Sequence, residues 1–347
     1  MLETAAPPQT EWSLPRMKHD PIVSPMPTGN GAYILHKMLE AKIENYRVYG
    51  YNPYLTLAPP FLAFIGRDRK PLAIHTTPDY AIFSSQKDIP IVLTFHNYVL
   101  DPWMRTYSSF LEKIHYATDL RLWTRMAIYK AHIVTAVSNF TATLAKKDLN
   151  ILRPIKVIRN GVDAALFKPR ISKTFQKEVR VFFSGNLTRR KGAHWLPGIA
   201  QRLKKDVTVH YTQGLRNQNR MQAGPALNPL GPITFRDMPE RYREMDIVLL
   251  PTVREGLSLS VLEAMACGLP VVASNCSSIP ELVDHGKGGF LCPVGDVDAF
   301  AEKINILADS PRLRREMGEY NRAKVEKMFT LERMVNEYRD LFEEVLG

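Results

Sequence analysis

The sequence predicts an α/β chain of two doubly wound, Rossmann-like domains, and three observations predict it. Its 347 residues are enough for two domains with full cores. Its hydrophobic fraction of 45% and charged fraction of 23% are those of a globular protein. Short apolar runs alternate with helix-period segments along both halves, the pattern of parallel sheets covered by helices on both faces. The spacing divides the chain into residues 1–170, residues 171–328 and a final helix over 329–347, with a linker over 169–176.

In chain order, Met1 to His19 is polar, contains prolines and lacks an apolar core, so it reads as a loose leader and not a signal peptide. Asp20 to Pro25 is a short apolar run, suited to an edge strand. The loop Pro27-Thr28-Gly29-Asn30-Gly31 follows. Its glycines Gly29 and Gly31 let backbone N–H groups approach a ligand at the start of a helix over 32–43. That helix presents Ile34, Leu35, Met38 and Leu39 on one face. Strand patterns recur at 47–51, 72–75 and 89–95. Ligands in such sheets bind beyond the carboxyl ends of the strands. His96, closing Thr94-Phe95-His96-Asn97, can therefore hydrogen-bond a substrate, or else hold a neighbouring loop. His75, at the end of the preceding strand, reads as structural.

Residues 101–130 are rich in aromatic and basic side chains. Tyr107, Phe110, Leu111 and Ile114 share one helical face; Leu122, Met126 and Tyr129 share another. Both are read as core faces, with Arg105, Lys113, Arg121, Arg125 and Lys130 solvated. The alternative is a patch that docks on anionic lipid or an acidic acceptor. Residues 131–140 form a strand and a helix begun by Ser138. Another strand, 155–158, ends at Asn160-Gly161-Val162-Asp163.

The second half opens with a strand over 179–183 and the turn Ser184 to Gly192, which carries Arg189, Arg190 and Lys191. Strand, glycine turn, clustered cations and helix make either a diphosphate clamp or an ordinary basic loop. A strand at 207–211, a polar loop over 213–231 and a strand at 246–251 lead to Glu255. There Gly256 and the serines open a loop, Ser260 to Cys267 forms a helix, Gly268 ends it and Pro270 prevents its return. The helix is apolar on nearly every side, hence buried, and its one carboxylate, Glu263, needs partners. Glu263 can close a capping box on the Ser260 N–H, or bind the hydroxyls of a polyol such as a ribose. In the second case the N–H groups of Gly256, Leu257, Ser258, Leu259 and Ser260 face a diphosphate, and Glu255 accepts from sugar hydroxyls in the same cleft. Asp296-Val297-Asp298 looks like a metal motif but reads as the N-cap of a helix over 299–307. Two helices, near 311–328 and 331–346, finish the chain.

Glu255-x7-Glu263, set in Glu-Gly-Leu-Ser-Leu and followed by Glu-Ala-Met-Ala-Cys-Gly-Leu-Pro-Val-Val-Ala, resembles the signature of the retaining glycosyltransferases of family 4, also called group 1. The resemblance implies the GT-B fold, with the two domains facing across a cleft and the last helix crossing back to the first. It implies an enzyme that transfers a sugar, with retention and without a metal, from a nucleotide diphosphate sugar to a hydroxyl acceptor. Donors are UDP-, GDP- or ADP-sugars; acceptors are glycans or lipid-linked molecules of cell-surface polysaccharide or glycolipid synthesis. No separate cofactor is implied. His96 in Thr-Phe-His, Glu255 and Lys191 in Lys-Gly match its catalytic positions, and Glu263 its ribose carboxylate. Phe235 and Arg236 lie in the segment that follows the base. Asn186 stands where the family has arginine, so Arg189 or Arg190 must supply that charge. Two other readings remain: a degenerate nucleotide-sugar-binding protein, motivated by Asn186, and a GT-B phosphorylase, which would need a lysine-bound pyridoxal phosphate.

The net charge of +11 is uneven: residues 1–170 hold 21 Lys and Arg against 13 Asp and Glu. A basic half attracts phosphates, nucleic acid or anionic lipid. No nucleic-acid module is visible, so nucleic acid ranks last of the three and is not expected as a partner; the alternative is a solvated surface that is merely basic. Cys267, Cys276 and Cys292 have no metal-ligand spacing and suit a reducing compartment. The expected location is cytoplasmic, with peripheral contact at the inner face of the cell membrane.

Overall fold

A computed structural model describes residues 21–67, 70–101, 103, 106, 110–170, 178–212, 224, 226–231 and 233–347. The leader, Arg105, Tyr107, most of the linker, most of the 213–231 loop and the side chains of Phe110 and Leu111 lie outside the described residues.

Two six-stranded sheets carry the fold. In the first, β1 (Ile22–Pro27), β2 (Tyr46–Tyr51), β3 (Ala73–Thr76), β4 (Ile91–Phe95), β5 (Ile133–Ala136) and β6 (Lys156–Val157) run in the order β2-β1-β3-β4-β5-β6. In the second, β7 (Val179–Phe183), β8 (Val207–Tyr211), β9 (Leu227–Pro229), β10 (Ile247–Leu250), β11 (Val271–Ser274) and β12 (Gly289–Cys292) run β12-β11-β10-β7-β8-β9. Every strand pair in both sheets is parallel. A sheet with helices on both faces needs strands that are apolar throughout, and every residue of β4, β10 and β11 is buried.

Three expectations need correction. The first strand is internal: β1 lies between β2 and β3, and its first five residues are buried. The 213–231 stretch contains β9, a three-residue strand with an Asn and a Pro, too short to show alternation. The third concerns the helix Asp119–Lys130. It buries Leu120, Thr124, Ala127 and Ile128, leaving Leu122 58%, Met126 44% and Tyr129 91% exposed. Ile114 is exposed as well. Periodicity locates an apolar face but does not say which of two candidate faces meets the sheet.

The C-terminal helix Leu331–Leu346 packs on the first sheet. Met334, Val335, Tyr338, Leu341 and Phe342 share a core with Ile22, Leu39, Tyr46 and Val92. Direct contacts join the halves elsewhere. Asn160 Nδ2 donates to the Leu257 carbonyl (2.8 Å), and the Asn139 and Phe140 N–H groups donate to the Glu281 carboxylate (3.1 and 2.8 Å). Arg254 pairs with Asp101 and lies over the Phe140 ring, 5.0 Å from its centroid. The carboxyl ends of the two sheets therefore face each other.

Candidate active site

A cavity of about 510 Å³ lies between those carboxyl ends. Loops following β1, β3 and β4 supply one wall, including Gly29, Gly31, Asp79 and His96. Loops following β7 and β10 supply the other, including Asn186, Arg190, Lys191, Glu255, Ser258 and Glu263. Parallel topology gathers these residues because every strand delivers its following loop to the same edge.

Glu255 is at the centre. It is 6% exposed, and its Oε1 accepts from Thr252 Oγ1 (2.9 Å) and Lys191 Nζ (2.8 Å), with Arg190 Nη1 at 3.5 Å. Burial opposes the Glu255 charge, but Lys191 and Arg190 outweigh it and hold the carboxyl below its ordinary range. Burial lowers the Lys191 pKa, and the Glu255 carboxylate counters that. The result is a buried, ionised pair whose Oε2 accepts no hydrogen bond among the described residues. Lys191 is delivered there by a tight turn. Gly192 has φ +75°, and a Cβ on it would sit 1.7 Å from the Pro251 carbonyl oxygen.

Glu263 lies in the helix Leu259–Ala266, whose residues from Val261 to Ala266 are buried. No capping box forms. The N-cap is Ser258, placing Ser260 inside the helix, and Glu263 Oε2 accepts instead from the Tyr242 hydroxyl at 2.8 Å. Burial raises the Glu263 pKa to about 7. No side chain caps the helix, so its first-turn N–H groups are left to other acceptors.

His96 follows β4, and its ring partner, His36, lies in the helix Gly31–Lys42 and not in a neighbouring loop. His96 lines the cavity, and its Nε2 lies 2.8 Å from His36 Nε2. His36 Nδ1 meets Ser24 Oγ and Tyr46 Oη, each at 2.7 Å; Tyr46 Oη meets His75 Nδ1 at 2.6 Å. His75 Nε2 meets Thr94 Oγ1 at 2.7 Å. Burial lowers the His96 pKa to about 3 and lowers those of His36 and His75, so the chain of rings is neutral.

Of the other residues singled out in the sequence, Gly29, Gly31, Asn186, Phe235 and the run Gly256 to Ser260 line the cavity. Arg189 and Arg236 do not; both side chains are exposed. Arg190 enters with Lys191, donating also to the Arg254 carbonyl at 2.9 Å, while Arg189 is exposed outside the cavity. Asp296 Oδ1 accepts from Ala299 N–H (2.9 Å), as an N-cap does, and Asp298 pairs with Arg202. The sequence reading missed Tyr242 and Asp79. Asp79 follows β3, so the strand-end rule that found His96 applies to it equally.

Two family models match the chain. One, described as glycosyl transferases group 1, covers residues 178–310; the other, glycosyltransferase family 4, covers residues 12–166. Among curated relatives, the N-acetyl-alpha-D-glucosaminyl L-malate synthase of Bacillus anthracis is 26% identical over 332 residues, covering 88% of this chain and 84% of that protein. An alpha-maltose-1-phosphate synthase of Mycolicibacterium smegmatis is 25% identical over 354 residues, covering 91% and 88%. Among solved structures, a sucrose-phosphate synthase of Thermosynechococcus elongatus matches with TM-score 0.76 at 18% identity, covering 94% of this chain and 99% of that one. Anabaena HepE in complex with UDP and glucose matches with TM-score 0.72 at 19% identity, covering 94% and 100%. These structural likenesses carry the fold, and the two family models carry the assignment. The chain belongs to the family 4, or group 1, glycosyltransferases and has their GT-B fold.

Proposed function

We propose that this glycosyltransferase moves a sugar from a nucleotide diphosphate sugar to a hydroxyl acceptor with retention of configuration and without a metal. The observation that carries the proposal is the buried Lys191–Glu255 pair beside Arg190, at the uncapped N-terminus of the Leu259–Ala266 helix. Arg190, Lys191 and the helix N–H groups supply positive potential where a departing diphosphate gains charge. Arg190 provides the guanidinium that Asn186 cannot, which favours an active enzyme over a degenerate binding protein. Glu255 Oε2 is left to accept from the donor sugar, and Glu263 Oε1 from the ribose. His96, neutral, hydrogen-bonds the sugar from the opposite wall.

Retention follows a front-face course. The acceptor oxygen bonds to the anomeric carbon on the side from which the diphosphate leaves. The bond from that carbon to the phosphate oxygen breaks, and the acceptor proton passes to the same phosphate oxygen. In this course Glu255 forms no bond to the anomeric carbon; Thr252 and Lys191 hold its Oε1, and its Oε2 accepts from the sugar hydroxyls. The UDP named in the HepE structure puts UDP-sugars first among the donors. Proton NMR on the sugar released by slow donor hydrolysis, recorded before mutarotation, tests the stereochemistry. An α-configured donor should release the α anomer; initial β release overturns the retaining reading.

The acceptor lies in glycan or lipid-linked synthesis, with the enzyme in the cytoplasm against the inner face of the membrane. The surface supports that placement. Leu122, Met126 and Tyr129 form an exposed stripe with Arg125 and Lys130. The two short 3-10 turns Pro53–Leu57 and Pro59–Phe64 expose Tyr54, Leu57, Phe61 and Phe64. Exposed apolar groups with cations suit an anionic bilayer surface. No helix among the described residues is long and apolar enough to cross a membrane.

A further inference from the structure

The cavity contains a carboxylate that the proposed donor site does not use. Asp79 lines it from the first-domain wall, in Thr77-Pro78-Asp79 after β3. The other acidic groups of the cleft are all partnered: Glu255 by Lys191 and Thr252, Glu263 by Tyr242. Asp79 has no hydrogen bond or ion pair among the described residues. Three phenols, Tyr51, Tyr80 and Tyr98, lie within its electrostatic reach, and its charge helps raise their pKa values. Two of those hydroxyls are committed elsewhere: Tyr80 to His115 Nε2 at 3.0 Å, and Tyr98 to Asp148. Asp79 is partly buried, and that burial, with no donor beside it, raises its pKa to about 7. Groups left unsatisfied at a cleft are where a ligand completes the structure.

The distribution of cations narrows the ligand. Both cations that line the cavity, Arg190 and Lys191, belong to the second-domain wall. The first-domain lining has no Lys or Arg among the described residues. An acid bound on this wall would meet Asp79 with no cation to compensate, and like charges at close range in a low-dielectric cleft repel strongly. A polyol meets a carboxylate that can accept hydrogen bonds from two of its hydroxyls.

We propose that Asp79 binds the acceptor, accepting hydrogen bonds from the hydroxyls of an uncharged sugar, and that the cation-free wall around it excludes acidic acceptors such as malate. This assignment rests on the transferase reading above, in which the acceptor approaches from the first domain. It separates this enzyme from the relative whose name specifies L-malate. Asp79 holds the acceptor; the leaving phosphate, as before, takes the proton.

The test uses the full chain loaded with UDP. Saturation-transfer NMR is run with the methyl α-glycosides of glucose, mannose, galactose and N-acetylglucosamine, and with L-malate. UDP must first raise the melting temperature equally in wild type, Asp79→Asn and Asp79→Ala, because Asp79 is not in the donor clamp. If UDP does not stabilise the wild type, GDP and ADP take its place, and if none of the three does, it is the donor-site reading that fails. With UDP bound, at least one glycoside should bind wild type at pH 8. Its affinity should fall about tenfold or more in both variants, the size of a lost charge-assisted hydrogen bond, and malate should give no signal. Malate binding to wild type, a glycoside signal undiminished in Asp79→Ala, or no glycoside binding at all would overturn the assignment.

Discussion

Gly256 and His96 meet backbone to backbone across the two halves of the molecule: a Cβ on Gly256 would lie 1.8 Å from the His96 carbonyl oxygen. The loop that carries Glu255 therefore rests on the strand end that carries His96. The two walls of the cavity are held in register by a contact that only glycine permits. Gly256→Ala should force the loops apart. Overpacking of this kind costs about 1–3 kcal/mol, and a shift on the order of 1 Å at the reacting centre costs about a hundredfold in rate. Urea melts and kcat/KM measure the two effects. Wild-type values for both would mean the contact is not kept in the working enzyme.

The Lys191–Glu255 pair should behave as one unit. Glu255→Ala leaves Lys191 buried without its counter-charge, and Lys191→Ala does the same to Glu255. Breaking a buried pair from either side costs about 3–5 kcal/mol. The double variant should cost less than the sum of the singles, while turnover is lost in all three. A double-mutant cycle on denaturation free energy reads the coupling; strict additivity would show that the two charges do not depend on each other.

Glu263 predicts a pH dependence for nucleotide binding. Its folded pKa is raised to about 7, above its ordinary 4.5. The folded state thus holds this proton more tightly than the unfolded chain. The Glu263 contribution to stability is greatest below pH 4.5 and declines as pH rises toward 7. Ribose hydroxyls donate to the ionised form, so UDP affinity should rise with pH through about 7. Calorimetric titrations from pH 6 to 8 should show this in wild type and a flatter profile in Glu263→Gln, which also controls for titration of the nucleotide phosphate. Parallel profiles would remove Glu263 from the ribose site.

Tyr242 is the hydroxyl that keeps Glu263 ionisable. Tyr242→Phe removes a hydrogen bond to a buried carboxylate, worth about 1.5–3 kcal/mol. The midpoint of the UDP profile should move to higher pH in this variant. An unmoved midpoint would place the Tyr242 hydroxyl elsewhere in solution.

The exposed stripe on Asp119–Lys130 gives a prediction away from the cleft. Wild type should sediment with vesicles containing anionic lipid at low salt and release as salt rises. Leu122→Asp combined with Tyr129→Asp should abolish sedimentation while leaving UDP binding intact. Equal sedimentation of both proteins would dismiss membrane contact through this face.

The sheets were legible because parallel strands are apolar along nearly their whole length, as Ile247 to Leu250 and Val271 to Ala273 are. Much of the second-half wall was legible because one continuous stretch, Glu255 to Glu263, supplies seven of its lining residues. What the sequence hid was long-range. Tyr242 meets Glu263 across 21 residues and His36 meets His96 across 60, and neither pairing has a local signal. The choice between Arg189 and Arg190 depends on the direction of a turn. Leu122, Met126 and Tyr129 fit a helical face perfectly well, but only packing decides that another face of the same helix meets the core.

The central claim is tested most directly by thermal shift with UDP-, GDP- and ADP-sugars, each with and without EDTA, on wild type and on Lys191→Ala combined with Arg190→Ala. The account predicts that one donor raises the wild-type melting temperature, that EDTA changes nothing, and that the double variant loses the shift. No stabilisation by any of the three donors, or a shift that EDTA removes, would contradict it.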